Sequence, residues 1–382
     1  MIGIYLHIPF CKLRCGYCDF YATTSQTLVQ PTVLAMLHEM ERRKNYFSQV
    51  EKNSSALQKS TLYIGGGTPS QLPPDMLAAL SQKAVATFCV APPEEFTVEL
   101  NPDDVTPEYL QRLRGMGVNR VSIGVQSFFD DDLQRLRRRH SARQAIRSVQ
   151  LAQAAGFENI SVDLIYGLPC MDVERWRSNL KTAFSLGVQH LSAYALTIEK
   201  RTPFGVLRRK NKLPLPHEDE VAMQYDLLCQ ASAENGWLHY EISSFARSGF
   251  FSMHNTAYWQ QQPYIGIGAA AHSYNGWQRQ SNVASCAQYI KNVEEGADFF
   301  ELESLSMENR YNEYVFTGLR TVWGVSKSYL QANFDNRLIN YFFSHARKHI
   351  ENKSIIADDD RIAIPENRWF VADSIIVDLI WA

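Results

Sequence analysis

The stretch His7-Ile8-Pro9-Phe10-Cys11-Lys12-Leu13-Arg14-Cys15-Gly16-Tyr17-Cys18-Asp19-Phe20 closes a strand-like run, Gly3–Ile8, and sets three cysteines at C-x3-C-x2-C spacing. The other four cysteines, Cys89, Cys170, Cys229 and Cys286, are scattered singly. Three thiols this close point to a metal site. Three thiolates can hold three irons of a four-iron cluster and leave the fourth open to an exchangeable ligand, which makes this a chemical site more than a structural staple. Chance clustering and zinc are the alternatives. Structural zinc wants four ligands, usually as two pairs. No second pair follows, and His7 is the only nearby fourth ligand; it lies on the alternating strand and would have to fold back.

Composition bounds the rest. The chain has 382 residues, 45% hydrophobic and 20% charged, with net charge −2, which suits one large globular domain plus a smaller one. Near-neutral charge leaves no nucleic-acid footprint. No apolar run approaches membrane-helix length, so any membrane contact is expected to be peripheral, without an anchor. Met1 leads straight into a strand, so no signal peptide is expected. Dispersed cysteines argue against a disulfide framework and for a reducing, cytoplasmic compartment. Gln49–Ser60 is the most loop-like stretch.

Strand-then-helix rhythm fills the first 240 residues. Strands are expected at Gly3–Ile8, Thr61–Ile64, Glu95–Leu100, Arg120–Val125, Ile160–Ile165 and His190–Thr197. Helices are expected at Pro31–Phe47, Pro74–Phe88, Ser141–Ala155, Met171–Leu186 and Glu218–Glu234. Prolines begin the first two, and glycines follow the later ones. Such alternation implies parallel pairing and an α/β fold, a partial (β/α)6 barrel. Nearly every strand ends in chemistry: the cysteine loop, Gly65-Gly66-Gly67-Thr68-Pro69, Glu99, Gln126, Asp163 and Thr197. Barrels of this kind build their sites at the carboxyl ends of the strands. Polar residues also simply mark strand ends, but Glu99 and Asp163 interrupt apolar runs and would be costly if buried alone. After residue 240 the rhythm fails. Helices at Glu308–Leu319, Ser326–Phe334, Leu338–Glu351 and Ala372–Ile380, with a hairpin of Ser354–Ile356 and Arg361–Ile364, suggest a winged-helix-like unit. The expected division is 1–240, a barrel; 241–300, its extension; and 301–382, the C-terminal unit. Nothing in that unit warrants DNA binding.

HIPFCKLRCGYCDF resembles the signature of radical S-adenosylmethionine (SAM) enzymes. GGGTPS, VELNPDD, VSIGVQSF and SVDLIYGLP follow in the order of the coproporphyrinogen-dehydrogenase-like branch. The resemblance runs from about Ile4 to Leu319 and is nearest to heme chaperones of that branch. It implies a [4Fe-4S] cluster on Cys11, Cys15 and Cys18, with Tyr5 and Tyr17 against the cofactor. It places Gly66, Gly67 and Thr68 at the methionine end of SAM and Glu99 on its amine. Gln126 and Asp163 would bind the nucleoside, Thr197 would lie near adenine, and Arg138 would pair with a carboxylate. Arg138 sits in RLRRRH, a run that otherwise reads as a solvated helix face and whose register could shift by one.

Three features separate the branches. Coproporphyrinogen dehydrogenase has a fourth cysteine two residues after the third, where this chain has Phe20. That enzyme also has an N-terminal arm before the motif, and here four residues precede Tyr5. His254-Asn255-Thr256-Ala257-Tyr258-Trp259 matches the HNxxYW pattern of the heme-chaperone branch. A neutral histidine can ligate heme iron, and Tyr258 and Trp259 could pack on a porphyrin. The same cluster also reads as core, with His254 a satisfied core histidine. His7 and His272 are the other axial candidates. GIGAAAHSYNG (Gly266–Gly276) replaces glycines usual in the family with alanines, and Cys170 in GLPC reads as incidental. The implied function is a chaperone passing heme to apo-hemoproteins, including those of the respiratory membrane, with an electron donor needed only if radical chemistry occurs. The alternatives are a porphyrinogen dehydrogenase, a radical SAM methyltransferase, or a cluster-containing binding protein with no heme role.

Overall fold

In a computed structural model, residues 1–49 and 59–382 are described; most of the loop-like stretch at Gln49–Ser60 lies outside them. Six parallel strands form the centre in chain order: β1 (Ile2–Ile8), β2 (Ser60–Gly66), β3 (Glu95–Leu100), β4 (Arg120–Gln126), β5 (Asn159–Tyr166) and β6 (His190–Ala195). Each expected strand is present, within two residues at either end. Helices intervene, as parallel pairing requires. Pro74–Phe88 and Glu218–Glu234 have the expected bounds. The first helix runs Val29–Arg42, so Pro31 falls within its first turn. Gly156 and Gly187 take φ of 83° and 67° just past their helices, where a side chain would be strained.

Period-two alternation sorts each strand into two faces. Ile2, Ile4, Leu6 and Ile8 join Leu62, Ile64, Phe96, Val98, Val121, Ile123, Ile160, Val162 and Leu191 in the core with the helices. The other face turns Tyr5, Glu99, Ser122, Asp163 and Tyr194 inward, where they meet a cavity, with Tyr63 bonded to Glu99 behind it. Barrel interiors are usually filled by branched apolar residues; here the interior is polar.

The sheet continues past both edges. Beside β6 lie β8 (Ser244–Ala246) and then β7 (Leu238–Glu241). Beside β1 come β9 (Tyr264–Ile267), β10 (His272–Tyr274), β11 (Gln278–Asn282) and β12 (Phe300–Ser304), giving twelve strands. These short strands, and the helices Pro107–Gly115, Asp130–Arg135, Pro203–Arg209, Met253–Trp259 and Cys286–Glu294, are additions to the expected elements. The remaining chain is helical around a three-stranded sheet of β13 (Val325–Ser326), β15 (Arg361–Ala363) and β14 (Ile356–Ala357). Its order is helix, strand, two helices, hairpin, a 3-10 turn at Glu366–Val371 and a short closing helix, Ala372–Val377. No helix among the described residues is long and apolar enough to cross a membrane.

Candidate cofactor site

The cysteine loop leaves the carboxyl end of β1 and is pinned by backbone bonds. Cys11 N donates to Thr23 O at 3.0 Å, Gly16 N to Leu136 O at 3.1 Å, and Phe204 N to Gly16 O at 2.9 Å. A Cβ on Gly16 would stand 2.7 Å from the Phe204 ring, so glycine is what lets the loop dock there. Lys12 donates to Asp104 at 2.9 Å, and Ser70 donates to the same carboxylate at 3.0 Å. VELNPDD therefore supplies an anchor for the loop as well as Glu99.

All three cysteines line one cavity of about 530 Å³ at the carboxyl ends of the strands. Tyr5, Tyr17, Gly66, Gly67, Thr68, Glu99, Gln126, Arg138, Asp163 and Thr197 line it too. Thr68 donates to Cys11 Sγ at 3.4 Å, and Arg138 Nη1 to Cys15 Sγ at 3.4 Å. Burial raises the Cys11 and Cys18 thiols above their ordinary range; metal coordination would strip those protons outright. The three sulfur donors fit an iron–sulfur cluster. The fourth zinc ligand weighed above does not materialise: His7 is buried, with Nδ1 3.0 Å from Tyr5 Oη and Nε2 3.3 Å from Tyr21 O.

Glu99 accepts from Tyr63 Oη at 2.8 Å and Gly66 N at 3.1 Å. Burial raises its carboxyl to about 7; the Tyr63 bond opposes this, and the Asp163 charge adds to it. Ser122 donates to Asp163 at 3.1 Å, and burial raises that carboxyl as well. Gly67 packs so tightly that a Cβ would meet Phe10 N and O at 2.9 Å, while Gly66 holds φ 115°. Two carboxylates, a glycine edge and three thiols around one cavity suit a ligand carrying an amine and ribose hydroxyls.

Arg138 is not on a solvated face. Its Nη2 donates to Asn101 Oδ1 and to Gly124 O, the latter at 2.7 Å. Arg139 pairs instead with Asp103 and Asp104, and Arg137 takes φ 58° where the run turns. Thr197 lies on the exposed rim, past the end of β6. Tyr63, Asn101, Asp104 and Ser122 were missed from the sequence. They sit on the inward period of strands already recognised, or immediately after them, and that period was the available signal.

His254, Tyr258 and Trp259 are not brought to this cavity. Glu95, at the start of β3, accepts from Met253 N at 2.8 Å and His254 N at 3.0 Å, which caps their helix at the opposite, amino end of the strands. His254 is 1% exposed. Its Nδ1 meets Thr61 Oγ1 at 2.7 Å, its Nε2 meets Tyr258 Oη at 2.8 Å, and its ring stacks on Tyr63 at 5.1 Å. Burial, aided by the Arg120 charge, lowers its pKa to about 3. With both nitrogens occupied, His254 sits here as a satisfied core histidine, away from the cavity. Tyr258 packs on Tyr264 at 4.4 Å, and Trp259 is half-buried beside it in the chain. His272 differs: it is exposed, at the start of β10, with Nδ1 3.0 Å from Ser281 Oγ. Ala270, in the alanine-rich segment, takes φ 63°, a conformation glycine adopts without strain. Cys170 is exposed, away from the cavity.

The model of the radical SAM superfamily matches residues 5–192. The heme chaperone HemW of Bacillus subtilis is 36% identical over 364 residues, covering 94% of each chain. HemW of Lactococcus lactis is 34% identical, covering 97% of this chain and 95% of that protein. A mouse mitochondrial protein, radical S-adenosyl methionine domain-containing protein 1, is 32% identical over 91% of this chain and 79% of its own. Among solved structures, coproporphyrinogen III oxidase from Escherichia coli superposes with a TM-score of 0.83 at 20% identity, covering 99% of this chain and 90% of that one. That likeness establishes the fold alone. Matched over nearly its whole length to the chaperones and over its barrel to the superfamily, the chain belongs to the radical SAM superfamily and, within it, to the HemW heme-chaperone family.

Proposed function

We propose that this protein is a heme chaperone that carries a [4Fe-4S] cluster on Cys11, Cys15 and Cys18, binds SAM in the adjoining cavity, and delivers heme to apo-hemoproteins. One observation carries the reading. Three thiols share a cavity with Glu99, the Gly66–Gly67 edge and Asp163, in a chain 36% identical to a heme chaperone across 94% of its length. When bound, the cluster and SAM supply one-electron chemistry. The chain's own residues orient them: Glu99 and Asp163 offer acceptors, Arg138 a planar donor, and Gly67 a close backbone approach.

Phe20 favours the chaperone over a porphyrinogen dehydrogenase. It offers no sulfur where that enzyme has its fourth cysteine, and it stands 72% exposed at the cavity mouth. Acceptors would include hemoproteins of the respiratory membrane, reached by peripheral contact. Exposure favours His272 over His254 as an axial ligand, since a heme iron needs an accessible imidazole nitrogen.

The test is anaerobic reconstitution followed by heme titration and mixing with an apo-hemoprotein. About one heme per chain and its transfer to the acceptor are the expected results. His272→Ala should shift the heme spectrum. Absence of heme uptake, or conversion of coproporphyrinogen with rapid SAM cleavage, would overturn the reading.

A further inference from the structure

A second cluster of metal-ligating side chains lies away from the cavity, where the barrel meets the C-terminal chain. Cys229 is on the Glu218–Glu234 helix, His239 is on edge strand β7, and Glu366 opens a 3-10 turn, Glu366–Val371. His239 Nδ1 is 3.8 Å from Cys229 Sγ and 3.1 Å from Glu366 Oε1, and all three ligand atoms lie within 4.8 Å of one another.

The imidazole is held in place. It stacks on Phe245 at 4.0 Å, meets the Trp369 edge at 4.4 Å, and leaves 2% of its side chain exposed. Its Nε2 is 3.4 Å from Ile242 O. One neutral ring cannot serve both sides: whichever nitrogen carries the proton, the other aims a lone pair at an oxygen. A proton on Nε2, directed at the carbonyl, leaves Nδ1 bare toward a carboxylate and a thiol. A carbonyl behind a ligating histidine commonly fixes its tautomer in this way.

We propose that Cys229, His239 and Glu366 form a zinc site through Sγ, Nδ1 and a carboxylate oxygen, with water as the fourth ligand. Tetrahedral zinc, with bonds of about 2.3 Å to sulfur and about 2.0 Å to nitrogen or oxygen, separates sulfur from nitrogen or oxygen by about 3.5 Å and nitrogen from oxygen by about 3.3 Å. The 3.8 and 3.1 Å spacings from His239 need only small adjustments, and the Sγ–carboxylate pair, within 4.8 Å, closes by rotation of the exposed Glu366 side chain. Thiolate with imidazole selects zinc over magnesium or calcium. The Glu366 side chain is 53% exposed, which admits both the ion and its water. The ion ties a barrel helix and the sheet edge to the C-terminal turn that carries Trp369.

The test uses full-length protein with its cluster loaded. After exposure to zinc alone and desalting against a weak chelator, about one zinc per chain should remain. X-ray absorption at the zinc edge should show a single sulfur near ~2.3 Å with lighter ligands near ~2.0 Å. Cys229→Ser should remove the sulfur from that shell. Glu366→Gln, at an exposed position, should weaken retention about tenfold or more with the iron content unchanged. No retained zinc, undiminished retention in both variants, or a shell of several sulfurs from the N-terminal loop would each overturn the site.

Discussion

Glu99 has two hydrogen-bond donors and a carboxyl raised to about 7 by burial. Its raised pKa favours the neutral acid, so the empty fold loses stability as pH rises from the ordinary carboxyl range to about 7, and loses no more above it. A bound ammonium reverses that preference, because it needs the carboxylate. Affinity for SAM should therefore rise with pH up to about 7 and level off above it, falling about tenfold per pH unit below. Glu99→Gln should lower affinity ~10–100-fold and flatten this profile; equilibrium binding on either side of pH 7 decides, and an unchanged slope would refute the role. His254 makes the opposite point. His254→Ala strands the Thr61 and Tyr258 hydroxyls and opens space behind Tyr63, which positions Glu99. It should cost about 2–4 kcal/mol in denaturant unfolding and leave the heme spectrum unchanged. A changed spectrum with intact stability would restore it as a ligand.

At the scale of elements, the glycine turn after β2 is set by its neighbours more than by its own preference. A Cβ at Gly67 would press on Phe10 N and O and on Ile8 O at 3.0 Å, all of them backbone atoms that cannot swing aside. Gly67→Ala should push the cysteine loop off β2, so that SAM binding is lost while the far-UV spectrum persists; retained binding would show that the loop yields. The six central strands were legible because inward polar and outward apolar residues alternate at period two. The Met253–Trp259 helix was not. It is only seven residues long with one local cap, Ser252, and the rest of its amino end is satisfied by Glu95, more than 150 positions earlier.

Across the whole molecule, buried Glu39 holds the β9–β12 extension to the barrel's first helix. It pairs with Arg43 at 2.8 Å and accepts from Gly268 N and Asn282 Nδ2, each at 2.8 Å, and from Tyr289 Oη. Glu39→Ala leaves the buried Arg43 charge without its carboxylate, with only Gly266 O and Ser273 Oγ to accept from it, and should destabilise the fold by about 3–5 kcal/mol, measured by denaturant unfolding. A cost below ~1 kcal/mol would mean the extension docks by apolar packing alone. These contacts join residues more than 220 positions apart, which is why the segment after residue 240 looked irregular: its order comes from distant partners.

Local chemistry determined the cysteine site and the barrel. Metal-ligand spacing, strand period and helix caps act over a few residues and leave their mark in the chain itself. Tertiary structure alone decided which polar residues meet. It turned Arg138 inward and Arg139 toward the aspartates, sent the HNTAYW helix to the far end of the barrel, and brought Cys229, His239 and Glu366 together. Hydrogen-bond satisfaction of buried groups is a property of the closed fold, and no spacing within the sequence encodes the partner that a buried nitrogen finds.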